Sequence, residues 1–162
     1  MDHDQRDSAL SLAQHAVRLQ TLLDRRIVDV LNAHGLSRSE LDVLGALAER
    51  GDDGARPREL SSRLLLTTGG TSNILRRLHE DGLIEREADP SDARSQIIRL
   101  TTQGKEAAQR AGTAAGEVIS QVLEPVDSSL LQSAAQLLHE VLTAMNDDAP
   151  VHRDPSGASR QP

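Results

Sequence analysis

Apolar residues recur along this chain with helical spacing. Leu12, Ala16, Leu19, Leu23, Ile27 and Val30 step by fours and threes, which predicts an amphipathic helix from about Ser8 to Ala33. Val17, Leu22 and Leu31 widen the stripe until much of that helix is apolar, as suits a helix with more than one neighbour, a partner chain among them. Gly35 ends it. Ser37 and Glu40 then stand at capping-box spacing, opening a second helix with Leu41, Val43, Leu44 and Leu47 that stops at Arg50-Gly51. After a polar loop, Pro57 suits a first helical position, and a short helix over Arg58 to Leu64 buries Leu60 and Leu64. Leu65 to Thr68 reads as a turn, and Gly69 to Asp81 as another helix. Thr67 or Thr68 can cap that helix, and Gly82 can end it.

Two strands follow, Leu83 to Glu87 and Gln96 to Leu100, joined by the turn-rich Asp89-Pro90-Ser91-Asp92-Ala93-Arg94. Thr101 or Thr102 caps a helix running to about Leu123. Gly104, Gly112 and Gly116 lower its intrinsic stability, so tertiary or partner contacts must hold it. Pro125 interrupts and Asp127 caps. Leu130, Ala134, Leu137, Leu138, Val141, Leu142 and Met145 then line a last amphipathic helix. Residues 147–162 carry three prolines and no apolar period, the pattern of a disordered tail.

The helix over 69–81 stands apart. Its apolar positions are Ile74, Leu75 and Leu78, and the rest of it is polar: Thr71, Ser72, Asn73, Arg76, Arg77 and Glu80. The order helix, short helix, turn, polar helix, strand, turn, strand is that of a helix-turn-helix with a two-stranded wing. In such a unit the second helix lies in the DNA major groove. Asn73 suits a bidentate contact to adenine and Arg76 one to guanine, while Thr68, Thr71 and Ser72 suit phosphate or base contacts. The helix start offers N–H groups to an anion, and Gly69-Gly70 lets a phosphate come close. Arg76 and Arg77 also have a plainer reading, as solvated arginines paired with Glu80 or Asp81.

Charge and composition sharpen this picture. The net charge is −7, yet Ala55 to Leu100 holds eight arginines against seven acidic residues, so the acid lies mostly outside the middle third. Leu, Ile and Val number 24, 6 and 9 of 162 residues, enough for a packed core in one domain. Phe, Trp and Tyr are absent, which removes the stacking platforms that single-stranded nucleic acid and RNA need. Cysteine is absent, which excludes disulfides, thiol chemistry and thiolate zinc sites. The six histidines show no tight ligand spacing, although His15 and His139 could meet across packed helices, and neither a metal nor a cofactor is expected. No phosphate loop, nucleophile elbow or metal motif supports an enzyme. No apolar run reaches membrane-span length and Met1–Leu10 is too polar for a signal peptide, so a cytoplasmic location without membrane contact is expected.

From about Gly35 to Arg110 the chain resembles the MarR family of winged-helix transcription regulators. The resemblance rests on Arg58-Glu59-Leu60-Ser61-Ser62-Arg63-Leu64 and on Leu75-Arg76-Arg77-Leu78-His79-Glu80-Asp81-Gly82-Leu83-Ile84-Glu85-Arg86. It continues through Asp89-Pro90-Ser91-Asp92-Ala93-Arg94-Ser95 to Leu100-Thr101-Thr102-Gln103-Gly104. An Asp-x-Arg wing, a Gly-Leu strand entry and a Leu-Thr exit at the right spacing together make it specific.

This resemblance implies a mainly α (α+β) fold, a winged helix-turn-helix DNA-binding core flanked by N- and C-terminal dimerisation helices. The implied divisions are a dimerisation helix at 1–34, the DNA-binding region at 35–101, dimerisation helices at 102–146 and the tail at 147–162. It implies a homodimer acting as a ligand-responsive repressor on a pseudo-palindromic, double-stranded operator. Arg94 matches the wing arginine that enters the minor groove, and Asp92 the carboxylate that steadies it; their plainer reading is a turn ion pair. The expected DNA-binding set is therefore Thr68, Gly70, Thr71, Ser72, Asn73, Arg76, Arg77, Asp92 and Arg94.

The resemblance also implies a small organic anion as effector, and His15 and Arg18, three apart on the first helix, are candidates for its pocket. Leu66 to Asn73 resembles a branch answering to anionic metabolites such as urate, a branch that places a tryptophan in its pocket; this chain has none. The cysteine-based redox branch is excluded. The alternative is a winged-helix module that docks on protein without specific DNA binding.

Overall fold

The computed structural model describes residues 3–89 and 92–147. Its elements run α1 (His3–Ala33), α2 (Arg38–Arg50), a 3-10 turn (Gly51–Asp53), α3 (Pro57–Arg63), α4 (Thr68–Glu80), β1 (Ile84–Asp89), β2 (Asp92–Leu100), α5 (Thr102–Leu123) and α6 (Ser128–Ala144). The fold is mainly helical with one small sheet. Helix α1 starts five residues before the expected Ser8, because Asp4 and its polar neighbours continue the helix beyond the apolar stripe.

Local chemistry explains most of the boundaries. Ser37 caps α2 in a reciprocal box: the Glu40 N–H donates to Ser37 Oγ at 3.3 Å, and the Ser37 N–H donates to Glu40 Oε2 at 2.7 Å. Pro57 takes the first turn of α3. Of the alternatives at two helix starts, Thr67 caps α4 by accepting from the Gly70 N–H, and Thr101 caps α5 by accepting from the Gly104 N–H. Helix α4 gives way at Gly82, whose φ of 70° lies where glycine has no Cβ to clash.

The two strands are longer than expected. They pair antiparallel from Ile84↔Leu100 through Arg86↔Ile98 and Ala88↔Gln96 to Asp89↔Asp92, with an irregularity between Ala88 and Asp89. The polar stretch read as a loop is thus partly strand, because pairing in a wing needs no apolar face at its tip. Ala55 adds a single bridge, donating to the Ile98 carbonyl at 3.0 Å and accepting from its N–H at 2.9 Å.

The core gathers Leu44, Leu47, Leu60, Leu75, Leu78 and Ile98, all essentially inaccessible. One face of each head element packs into it, so the helix-turn-helix and its wing share a foundation. Helix α5 joins through Ala108, Ala111 and Ala115, small residues that let α1 settle close, with Ile27 and Leu31 buried on the α1 side. Farther out, α1 leaves Leu12, Val17, Leu19 and Leu22 exposed, and α6 buries no residue at all. Of the tail expected at 147–162, only Asp147 falls within the described residues.

Candidate nucleic-acid interface

Helix α4 is built to present one side. Thr71, Leu75 and Leu78, spaced by four and three, turn inward and are buried. At about 100° per residue, the opposite side carries Gly69, Ser72, Asn73, Arg76 and Glu80. The Arg76 guanidinium donates to Asn73 Oδ1 at 3.3 Å, so the two side chains best suited to base edges meet on the exposed stripe. Arg76 also lies 3.9 Å from Glu80 Oε1, a solvated pair of small energetic weight. Ser72 turns its hydroxyl back to donate to the Thr68 carbonyl at 2.9 Å.

At the helix start, the Gly70 N–H donates to Thr67 Oγ1 at 3.1 Å. Thr68 is exposed beside it, and the Cβ position of Gly69 faces open space.

Thr71 is expected to contact DNA, but it is only 2% exposed, and its Oγ1 donates to the Thr67 carbonyl at 3.1 Å. This corrects the expectation: Thr71 shares the stripe of Leu75 and Leu78, a spacing the sequence already carried. Arg77 sits on the flank, where its Nε lies 3.1 Å from Oε1 of the buried Glu40. Its partner is therefore an acid on α2, and neither Glu80 nor Asp81 on its own helix.

The wing is anchored at its root. Arg56, the residue before α3, brings its Nε and a terminal nitrogen each to 2.6 Å from Oδ2 of Asp89, a buried carboxylate at the end of β1. The hydrogen bond to Asp89, and then its charge, hold the Arg56 guanidinium above its ordinary pKa. Arg99 on β2 pairs with Glu87 and donates from Nε to the Asp52 carbonyl at 2.6 Å. Sequence spacing gave no hint of these pairs, which join residues 12 to 47 apart. Asp92 is exposed at the start of β2. Arg94 lies on β2 two residues on, and its side chain falls outside the described residues.

The ligand candidates are less assembled. His15 Nδ1 donates to the Ser11 carbonyl of its own helix at 2.7 Å, and both His15 and Arg18 are exposed. A cavity of about 190 Å³ between α2 and α3 is lined by Ala46, Arg50, Ala55, Glu59, Leu60 and Arg63, and neither candidate borders it. Among the described residues, no cluster of His, Asp and Glu could hold a metal ion, and no helix is long and apolar enough to cross a membrane.

A family model for the MarR family matches residues 34–95, which span α2 to the wing. This segment is a MarR-family winged helix-turn-helix. The chain is 37% identical over 73 residues to YkoM of Bacillus subtilis (strain 168), an uncharacterized HTH-type transcriptional regulator, covering 45% of this chain and 46% of that protein. The chain spans about half the length of the curated relatives it matches.

Likeness of fold extends further than likeness of sequence. A MarR-family transcriptional regulator from Rhodococcus sp. RHA1 superposes with a TM-score of 0.74 at 19% identity, covering 82% of this chain and 93% of that one. A mutant of MarR from E. coli complexed with operator DNA gives 0.71 at 22% identity, covering 88% and 99%. The long flanking helices therefore belong to the shared fold along with the MarR-family head.

Proposed function

We propose that this protein is a non-enzymatic transcriptional regulator that binds double-stranded operator DNA as a homodimer, and that it acts as a repressor. The observation that carries the reading is the exposed stripe of α4, where Asn73 and Arg76 meet on a helix whose other side is locked into the core. Base readout needs side chains that reach outward from a fixed helix, and this one supplies both parts. Thr68 is exposed at its start and suited to a phosphate contact, Gly70 and Ser72 follow with their donors turned to Thr67 and Thr68, and Asp92 and Arg94 stand on the wing. The resemblance assigns Arg94 to the minor groove.

The homodimer reading is supported by the apolar surfaces of α1 and α6. Two copies joined there would present two α4 helices to successive major grooves, as a pseudo-palindromic site requires. A small organic anion that changes the pose of the heads relative to these helices is the effector we assign to the protein, on the strength of the resemblance.

The test is binding to labelled DNA from upstream of the protein's own gene, followed by anisotropy across a salt series. The label must be on the DNA, since the chain has no Trp or Tyr. Tight binding that resists competitor DNA and weakens steeply with salt is expected, because each neutralised phosphate releases counterions. Failure on all DNA, random sequence at low salt included, would overturn the reading in favour of docking on another protein.

A further inference from the structure

Arg77 was expected among the residues that touch DNA, but its surroundings give it a different task. Glu40 is 2% exposed and lies on α2, yet its carboxylate is fully engaged. Oε2 accepts from the Ser37 backbone N–H and from Ser37 Oγ, each at 2.7 Å, and so closes the cap of α2. Oε1 faces Arg77 Nε at 3.1 Å and so holds α4.

A buried carboxylate is costly without a partner, and here the partner is delivered by the reading helix itself. Arg77 sits about 120° round α4 from the buried Thr71, between the inward side and the stripe of Asn73 and Arg76. A restraint at that place adds to the apolar contacts of Leu75 and Leu78 in resisting rotation of α4 about its axis.

We propose that Arg77 is a positioning residue: it acts through Glu40 to set the rotation of α4, and it makes no contact with a DNA phosphate. The proposal rests on the DNA-binding reading above and refines it. One carboxylate caps α2 and orients α4, so the joint where α1 passes into α2 is coupled to the angle at which Asn73 and Arg76 meet the groove. Arg76, four residues from Ser72 on the outward stripe, remains a direct contact.

Two variants and two measurements test this. Arg77→Ala removes the restraint, and Glu40→Gln keeps an acceptor for the Ser37 cap while removing the charge that holds Arg77. Each should weaken operator binding by about tenfold, and the double variant should be little weaker than either single one, because both remove one interaction. The slope of log affinity against log salt should match that of the parent in every case. A slope shallower by about 0.9 per lost contact in Arg77→Ala would show that Arg77 neutralises phosphate, and would overturn the proposal. So would a lowered melting temperature with unchanged affinity, which would make the pair a stabiliser only.

Hydrogen exchange on the free protein supplies the readout that needs no DNA. Amides from Thr71 to Leu78 should exchange faster in both variants while those of α5 keep their protection. Unchanged exchange in α4 contradicts the proposal whether or not the parent binds DNA. Failure of the parent to bind any DNA, with exchange altered as expected, would overturn the functional reading and leave the restraint standing.

Discussion

At the scale of single residues, the demanding positions are those where two elements touch without room for a Cβ. Gly104, in the first turn of α5, is the clearest. A Cβ there would stand 1.9 Å from the Leu83 carbonyl oxygen, which is backbone and cannot swing aside. The same corner is tied by Thr101, whose Oγ1 donates to the Gly82 carbonyl at 2.7 Å and whose N–H donates to the Leu83 carbonyl at 3.1 Å. Gly104→Ala should therefore destabilise the fold by about 1–3 kcal/mol, read as a melting temperature lower by several degrees, despite the better helix propensity of alanine. Gly112→Ala, where a Cβ meets nothing within 4 Å, should raise it instead. The sequence marked both glycines only as helix weakeners; which one is compulsory depends on the approach of Leu83.

Thr71 and Arg77 show the same division of legibility. The burial of Thr71 is legible in the sequence, since it falls four before Leu75 and seven before Leu78 on the same stripe. Arg77 was not readable, because its partner lies 37 residues away on another helix. On the outward stripe of α4, Asn73 and Arg76 remain for contact with base edges. Arg76→Ala should cost about 1–3 kcal/mol of operator affinity and relax discrimination at particular base pairs, measured by competition with single-substitution sites. An equal loss on every sequence would mark Arg76 as a phosphate contact.

At the scale of elements, caps and stops were legible because they are local. Ser37 with Glu40, Pro57, Gly82 and Asp127 all act within three residues of their targets. Strand ends were not, because β1 and β2 extend through polar residues held by each other and by Arg56 and Asp89. The α6 cap makes a prediction about pH. Asp127 accepts from Ser129 Oγ and from the N–H groups of Ser129 and Leu130, and these bonds, the side-chain one foremost, lower its pKa below the ordinary carboxylate value.

A lowered folded-state pKa contributes stability that is present above the ordinary carboxylate value and is lost as pH falls through the folded-state value. Asparagine caps comparably without titrating. The melting difference between the parent and Asp127→Asn should therefore shift against the parent as pH is lowered below about 4. A difference that stays constant with pH would contradict the role of the charge.

At the scale of the whole molecule, the described chain leaves a surface unpaid for. Helix α6 has no fully buried residue, Leu130 and Leu137 on it and Met145 just beyond its end are each at least 60% exposed, and α1 shows Leu10, Val17 and Leu22. Contiguous exposed apolar surface of this kind marks an interaction site. In the homodimer reading it is the subunit interface. Leu137→Asp should convert a species of twice the chain mass into a monomer by light scattering, with the head still folded by hydrogen exchange. Dimers that survive this charge would place the interface elsewhere. From sequence the first helix was legible as widely apolar and the last as amphipathic, but which side of the first meets the head and which stays open required the packing of α1 on α5.

These scales meet in one claim, that two α4 helices read two half-sites related by a dyad. Hydroxyl-radical footprinting of the complex on its operator tests it most directly. Two protected patches of equal strength are expected, symmetric about a centre and spaced by about 10–10.5 base pairs. Arg94→Ala should lose the flanking minor-groove protection assigned to the wing. A single asymmetric patch, or protection without a dyad, would contradict it.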